Sequence, residues 1–174
     1  MSHQQTILVT GATGYIGGRL VRPLLEAGFA VRVMTRGPAQ LEGRSWLEEV
    51  EVAQGNVLEA DSLRPALEGI DAAYYLIHSM GDTDAFAERD KRAAENFARA
   101  AAQAGVQQII YLGGLGAADD DLSKHLESRQ QVGEVLRQHH DGVTEFRAAV
   151  VIGAGSLSFE IVRSLTERLP IMIA

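Results

Sequence analysis

"LVTGATGYIGG", from Leu8 to Gly18, decides how the rest of the chain is read. Apolar and β-branched residues run into glycines at a spacing of three, Gly11, Gly14 and Gly17. The preceding "TILVT" (Thr6–Thr10) has the composition of a buried strand. After the turn, Ile16, Leu20, Leu24 and Ala27 fall on one helical stripe, and Gly28 stops it. Pro23 lies inside that helix, costs it a hydrogen bond and predicts a local bend. A glycine-rich turn between a strand and a helix has a specific physical use. The first glycine permits the tight turn, the second lets backbone approach a pyrophosphate, and the third lets helix and strand pack closely. The helix N-terminus then presents unpaired N–H groups to the phosphates. Gly11, Thr13, Gly14, Tyr15, Ile16 and Gly17 are therefore the candidate phosphate-binding residues.

Beyond this unit the same alternation repeats. Strands are predicted over Phe29–Arg36, Val50–Val57, Asp71–Met80, Val106–Gly114 and Thr144–Gly153. Helices are predicted over Asp61–Gly69 (with Asp61 as N-cap), Asp84–Ala104, Leu122–His140 and Ser156–Arg168. Strands alternating with helices imply an α/β fold of the Rossmann type, a doubly wound parallel sheet with helices on both faces. Residues 1–153 form the expected dinucleotide-binding domain and 154–174 the start of a substrate-side region. The chain closes on the apolar run "RLPIMIA", which reads as the N-terminal part of a longer protein.

Composition removes several function classes. There is no cysteine, so there is no disulfide, thiolate nucleophile or cysteine metal site, and the chain suits a reducing, cytoplasmic setting. The net charge is −7 and no stretch gathers Lys and Arg on one face, which argues against nucleic-acid binding. The N-terminus lacks the pattern of a signal peptide, and no run approaches the roughly 18 apolar residues of a membrane span. "ADDD" (Ala118–Asp121) reads as a solvated loop. His139 and His140 suit a helix C-terminus better than a metal, and no metal site is expected.

The end of the second strand separates the two nicotinamide dinucleotides. An acid there accepts hydrogen bonds from the ribose of NAD; a basic residue accommodates the 2′-phosphate of NADP. Here the strand ends "VMTRG", with no acid between Gly17 and Glu42. The Arg36 guanidinium can grip a phosphate with two hydrogen bonds, and Thr35 can add a hydroxyl. The expected cofactor is NADP(H) in preference to NAD. Arg32, on the same strand face, either assists or is a solvated or helix-packing arginine. Ile77, His78, Ser79 and Met80 lie at the carboxyl end of the fourth strand, where ligands of such sheets bind.

"TGATGYIG" resembles the short-chain dehydrogenase/reductase superfamily, in its extended and atypical branches. Within it, "YYLIHSMG", "IIYLGGLG" and "HLESRQQVGE" are similar to NmrA-like NAD(P)H-binding proteins, including a bacterial group in which a further domain follows. The resemblance covers essentially the whole chain. It implies that Asn56 and Val57, after strand three, contact adenine; Asn56 is equally a turn-forming asparagine. It implies that His78 packs and hydrogen-bonds rather than reacts. It also implies a Ser or Thr after strand five and a Tyr-x-x-x-Lys on the next helix, where Tyr is the acid/base and Lys tunes it. This sequence departs from that pattern. Gly113 and Gly114 stand where the hydroxyl belongs, and the best match to Tyr-x-x-x-Lys is His125-Leu-Glu-Ser-Arg129. His125 can move a proton near neutral pH and Arg129 can hold a ribose or phosphate, so these two are the catalytic candidates. Two functions follow from the resemblance: an NADP-dependent oxidoreductase or epimerase-like enzyme acting on an unidentified small molecule, or a non-catalytic NADP(H) sensor that contacts a protein. It further implies a homodimer through the helices Asp84–Ala104 and Leu122–His140.

Overall fold

A computed structural model describes residues 4–78, 84–115, 124–149 and 151–168. The strands are β1 (Thr6–Thr10), β2 (Ala30–Thr35), β3 (Glu51–Gln54), β4 (Ala72–Tyr75), β5 (Gln108–Gly114) and β6 (Val143–Ala148). The helices are α1 (Tyr15–Glu26), α2 (Leu63–Leu67), α3 (Asp84–Ala104), α4 (Lys124–His139) and α5 (Leu157–Arg168). The six strands form one sheet in the order β3-β2-β1-β4-β5-β6, every neighbouring pair parallel. This is the doubly wound Rossmann arrangement expected from the sequence.

Alternation along each strand divides the core between the two faces. Leu8, Met34, Ala73, Tyr75, Ile109 and Tyr111 pack with α2, α3 and α4 around Phe97 and Leu136. Ile7, Val9, Val31 and Val33 pack with Val21 and Leu24 of α1 on the other face. Leu41 and Trp46, from the β2–β3 connection, complete that second layer. The Trp46 indole N–H donates to the Gly18 carbonyl at 3.0 Å, pinning the connection to α1.

Several boundaries differ from the sequence reading, each for a local reason. β4 ends at Tyr75, one residue past Tyr74, its last residue paired with β1. There the Thr10 hydroxyl donates to the Tyr74 carbonyl at 2.9 Å and accepts from Leu76 N–H at 3.0 Å, so a side chain replaces the ladder. β6 ends at Ala148 rather than Gly153. Asp61 lies within a 3-10 turn (Ala60–Ser62), and Ser62 is the residue before α2. The Ser62 hydroxyl accepts from Asn56 N–H at 2.9 Å, closing the loop after β3. α1 runs on through Pro23, the Ala27 N–H donating to the Pro23 carbonyl at 3.0 Å. Among the described residues no helix is long and apolar enough to cross a membrane, and no group of three or more His, Cys, Asp or Glu could hold a metal.

Candidate active site

The sheet order reverses direction between β1 and β4, and the carboxyl ends of these strands open into a cleft of about 300 Å³. Its floor is the glycine turn. Gly11 adopts φ +68, a left-handed conformation that an L side chain resists, and its missing Cβ would sit 2.7 Å from the Leu76 carbonyl. A Cβ on Gly17 would overlap the Gly11 carbonyl, so this glycine brings α1 against the turn. Gly14 differs: its Cβ would meet only the Gly11 carbonyl, at 3.2 Å, and its outer side is open. Gly14, at the N-cap of α1, has no side chain to cap the helix, so its first N–H groups are left without a side-chain cap. A backbone cradle that is closed within and open without fits a pyrophosphate.

Gly11, Gly14, Tyr15, Ile16, Gly17, Ile77 and His78 line this cleft together. Ser79 and Met80 lie outside the described residues. The remaining sequence candidates stand on the β2–β3 side. Arg36 is exposed at the end of β2. Thr35 is 7% exposed, and its hydroxyl accepts from Gly37 N–H at 3.3 Å within its own corner. The Asn56 side chain closes its own loop, donating to Glu59 at 2.7 Å and accepting from Leu58 N–H at 3.1 Å. Val57 is buried in the core. Arg32 bonds the Ala66 and Glu68 carbonyls at the end of α2 and pairs with Glu51 at 2.8 Å, which is the helix-packing role.

One basic residue on this side is absent from the sequence reading. The Arg44 guanidinium donates to the Thr13 carbonyl at 2.9 Å and lies against Gly18, beside the glycine turn. It comes from the β2–β3 connection, which has no strand or helix periodicity to reveal it.

The opposite wall is built from β5, α4 and the segment after β6. Gly113, Gly114, Leu126, Arg129, Ala148, Val151 and Ser156 line it. The two glycines have an internal cause. A Cβ on Gly114 would come within 2.6 Å of Leu126, and one on Gly113 would overlap the Glu145 carboxylate. The Glu145 side chain is 8% exposed and pairs with Arg137 at 2.6 Å and Arg147 at 3.3 Å. Arg129 donates to the Leu112 carbonyl, and the Tyr111 hydroxyl donates to the Arg129 carbonyl at 2.9 Å. Burial pushes the Tyr111 hydroxyl up to about 12, and burial raises that of Tyr75 further. Neither tyrosine is suited to proton exchange near neutral pH. The side chain of His125 lies outside the described residues. His140 is structural: its ring bonds the Val106 carbonyl at 2.9 Å and the Gly142 N–H at 3.0 Å.

A family model described as NAD(P)H-binding matches residues 11–165. Among curated proteins, the chain is 35% identical over 115 residues to a 3 beta-hydroxysteroid dehydrogenase/Delta 5-->4-isomerase of Mycobacterium tuberculosis, covering 60% of this chain and 30% of that protein. It is 34% identical over 128 residues to a (4-alkanoyl-5-oxo-2,5-dihydrofuran-3-yl)methyl phosphate reductase of Streptomyces griseus, covering 74% of this chain and 41% of that protein. The chain thus spans well under half the length of these relatives. Among solved structures, the Citrobacter sp. triphenylmethane reductase complexed with NADP(H) matches with a TM-score of 0.73 at 23% identity, over 93% of this chain and 55% of that one. The Bordetella bronchiseptica enzyme WbmH in complex with NAD+ matches with a TM-score of 0.75 at 18% identity, over 95% of this chain and 63% of that one. At these identities the structures speak for the fold. The matched family, the six-stranded order and the glycine cradle agree: the chain belongs to the NAD(P)H-binding family of the short-chain dehydrogenase/reductase superfamily.

Proposed function

We propose that this chain is the cofactor-binding part of an NADP-dependent oxidoreductase or epimerase-like enzyme of the atypical short-chain type, acting on a small molecule. The observation that carries the NADP preference is the pair of arginines at the adenosine end. Arg36 follows β2 where an acid would select NAD, and Arg44 is anchored on the glycine turn through the Thr13 carbonyl. The pyrophosphate is assigned to Gly11, Thr13, Gly14, Tyr15, Ile16 and Gly17, and the adenine side to the loop at Asn56 and Val57. Ile77, His78 and Ser79 are assigned to the nicotinamide side. Thr35 supports Arg36 from within its turn. When bound, the dinucleotide supplies a hydride donor or acceptor; the chain's own residues orient it and exclude water.

Residues 1–153 are assigned to the dinucleotide unit, and 154–174 to the start of the substrate side. Ser156, which lines the cleft, supports that division. The curated relatives named above are a dehydrogenase/isomerase and a reductase, which supports redox chemistry. A homodimer through α3 and α4, which pack side by side, is part of the same reading. The test is a titration with NADPH and NADH, repeated on Arg36→Ala. Equal affinity for both cofactors, unaltered in the variant, would end the NADP assignment.

A second reading has one observation in its favour. Gly113, Gly114 and Arg129 stand where the superfamily's hydroxyl and lysine are expected, and Glu145 and Leu126 crowd the two glycine positions. That favours an NADP(H)-sensing regulatory protein of the NmrA-like kind. Tight binding with discrimination between NADPH and NADP+ but no turnover, across a panel of aldehydes and quinones, would select it.

A further inference from the structure

The chain has four tyrosines. Tyr75 is 1% exposed and packs against Phe97 in the core with the rings tilted at 45°, Tyr74 packs on the α1 side, and the Tyr111 hydroxyl is spent on the Arg129 carbonyl. Tyr15 is different. It is the first residue of α1 and lines the cleft beside Ile16 and Val151. Its hydroxyl lies against Gly153, in the segment after β6, and a Cβ on that glycine would overlap the hydroxyl oxygen. Gly153 has no left-handed φ to explain it, so its missing side chain serves as a seat for the phenol. Among the described residues the hydroxyl has no hydrogen-bond partner, and a phenol is both donor and acceptor.

One helical turn on, the Arg19 guanidinium sits 3.9 Å from the centre of the Tyr15 ring. Residues four apart on a helix share a face, and a cation over an aromatic face is attracted to it. The same guanidinium donates to the Ala154 carbonyl at 2.9 Å. Arg19 thus fixes the ring from one side and the post-β6 segment from the other. The result is a Tyr-x-x-x-Arg pair, Tyr15-Ile-Gly-Gly-Arg19, on the cofactor helix. It places a phenol and a cation one turn apart, the chemical content that Tyr-x-x-x-Lys supplies elsewhere in the superfamily. Here it stands on another element around the same cleft.

We infer that Tyr15 is the proton-donating catalytic residue of this site and Arg19 its positioning residue, acting on a carbonyl substrate; the inference rests on the oxidoreductase reading. The substrate carbon receives a hydride, and the π electron pair of its C=O bond moves to oxygen. The Tyr15 O–H bond breaks as the new O–H bond forms. Water at the cleft mouth then reprotonates the phenolate. The carbonyl is reduced to an alcohol by two electrons, and NADPH is the reductant oxidised to NADP+. The hydroxyl's missing partner is the substrate oxygen.

The test uses the full chain, NADPH and 4-nitrobenzaldehyde as the probe carbonyl. The pyrophosphate role of Tyr15 belongs to its backbone N–H at the start of α1, which phenylalanine keeps, so Tyr15→Phe is expected to lower kcat on the order of 10²–10⁴-fold with little change in NADPH affinity. A second readout needs no turnover: in the complex with NADP+, the carbonyl stretch of the aldehyde moves to lower frequency in the unaltered protein and not in Tyr15→Phe. Gly153→Ala keeps the phenol but removes its seat, and lowers kcat with the carbonyl shift reduced. Turnover by Tyr15→Phe at the unaltered rate overturns the inference. So does a loss of NADPH affinity that accounts for the whole effect, or a protein that binds NADPH yet neither reduces the aldehyde nor shifts its stretch. In all three cases the cofactor reading survives. Failure of the unaltered protein to bind NADPH removes the cofactor reading and the donor together.

Discussion

Glycines build both walls of the cleft, but they leave room for different things. In the β1–α1 turn, Gly11 and Gly17 bring backbone against backbone, and the space outside Gly14 stays open for a ligand. In β5, Gly113 and Gly114 make room for the protein itself, for the Glu145 carboxylate and the Leu126 side chain. A pair of glycines at the end of a strand is therefore no signature of a ligand; what fills the vacated space decides. On the first wall the chain has withdrawn its side chains and left open the space where a pyrophosphate is proposed to bind. On the second it has filled the vacated space from within.

The comparison is broken most severely by adding a side chain where backbone lies behind the glycine. Gly17→Val forces apart α1 and the Gly11 carbonyl, and costs about 3 kcal/mol or more of stability together with the loss of NADPH binding. Urea denaturation and a cofactor titration measure the two losses. Stability and binding equal to those of the unaltered chain would show that the turn is looser than described.

The second wall should reveal itself in alkali. The Tyr111 hydroxyl is raised from 10.0 to about 12 in the folded protein. Above pH 10 the unfolded chain loses this proton first. The stabilisation is thus fully present below about pH 10 and is lost as pH rises towards 12, about 2–3 kcal/mol in all. Tyr111→Phe costs about 1 kcal/mol at neutral pH through its lost hydrogen bond to the Arg129 carbonyl, and flattens the fall in stability above pH 10. Equilibrium unfolding across this range checks both, and an alkaline slope unchanged by the substitution would contradict the assignment.

On the first wall, Arg36→Ala should weaken NADPH by about 1.5–3 kcal/mol, the worth of hydrogen bonds to a charged group, and leave NADH unchanged. Arg44→Ala should act in the same direction with a smaller effect, because part of its hydrogen bonding goes to the Thr13 carbonyl. Calorimetric titration with each cofactor separates the two.

The mildest expected effect is Gly113→Ala. Its new Cβ meets the flexible end of the Glu145 side chain rather than backbone, so the cost is about 1–2 kcal/mol. In a Glu145→Ala background that penalty should vanish, a coupling that a double-mutant cycle reads directly. Independent penalties would mean that Glu145 does not fill the space.

How much of this was legible in the sequence follows from the range of the interactions. α3 runs over Asp84–Ala104 as expected, because its alanine-rich periodicity is local. The glycine turn was legible because strand, glycines and helix are contiguous. The stretch between β2 and β3 was not: its two 3-10 turns have no period, and Trp46 and Arg44 bond to Gly18 and Thr13, about thirty residues away. Thr35 and Asn56 were candidates by position, yet local turns consume their polar atoms, and spacing does not show this. β4 stopped short of Met80 because Thr10, on another strand, takes over its last hydrogen bonds. Gly113 read as a missing hydroxyl until Glu145 of the neighbouring strand was seen beneath it. The Tyr15–Arg19 pair stood in the motif itself, but its meaning depends on Gly153 and Ala154.

The central claim is that the glycine turn, with Arg36 at the end of β2, is an NADP site. Trp46, the chain's single tryptophan, is bonded to Gly18 at that turn and reports on it from within the core. We would titrate the protein with NADPH and with NADH, following energy transfer from Trp46 to the nicotinamide. The account predicts saturable transfer with both and at least about tenfold tighter binding of NADPH, equivalent to about 1.4 kcal/mol. Equal binding of the two would contradict the role of Arg36, and binding of neither would contradict the site itself.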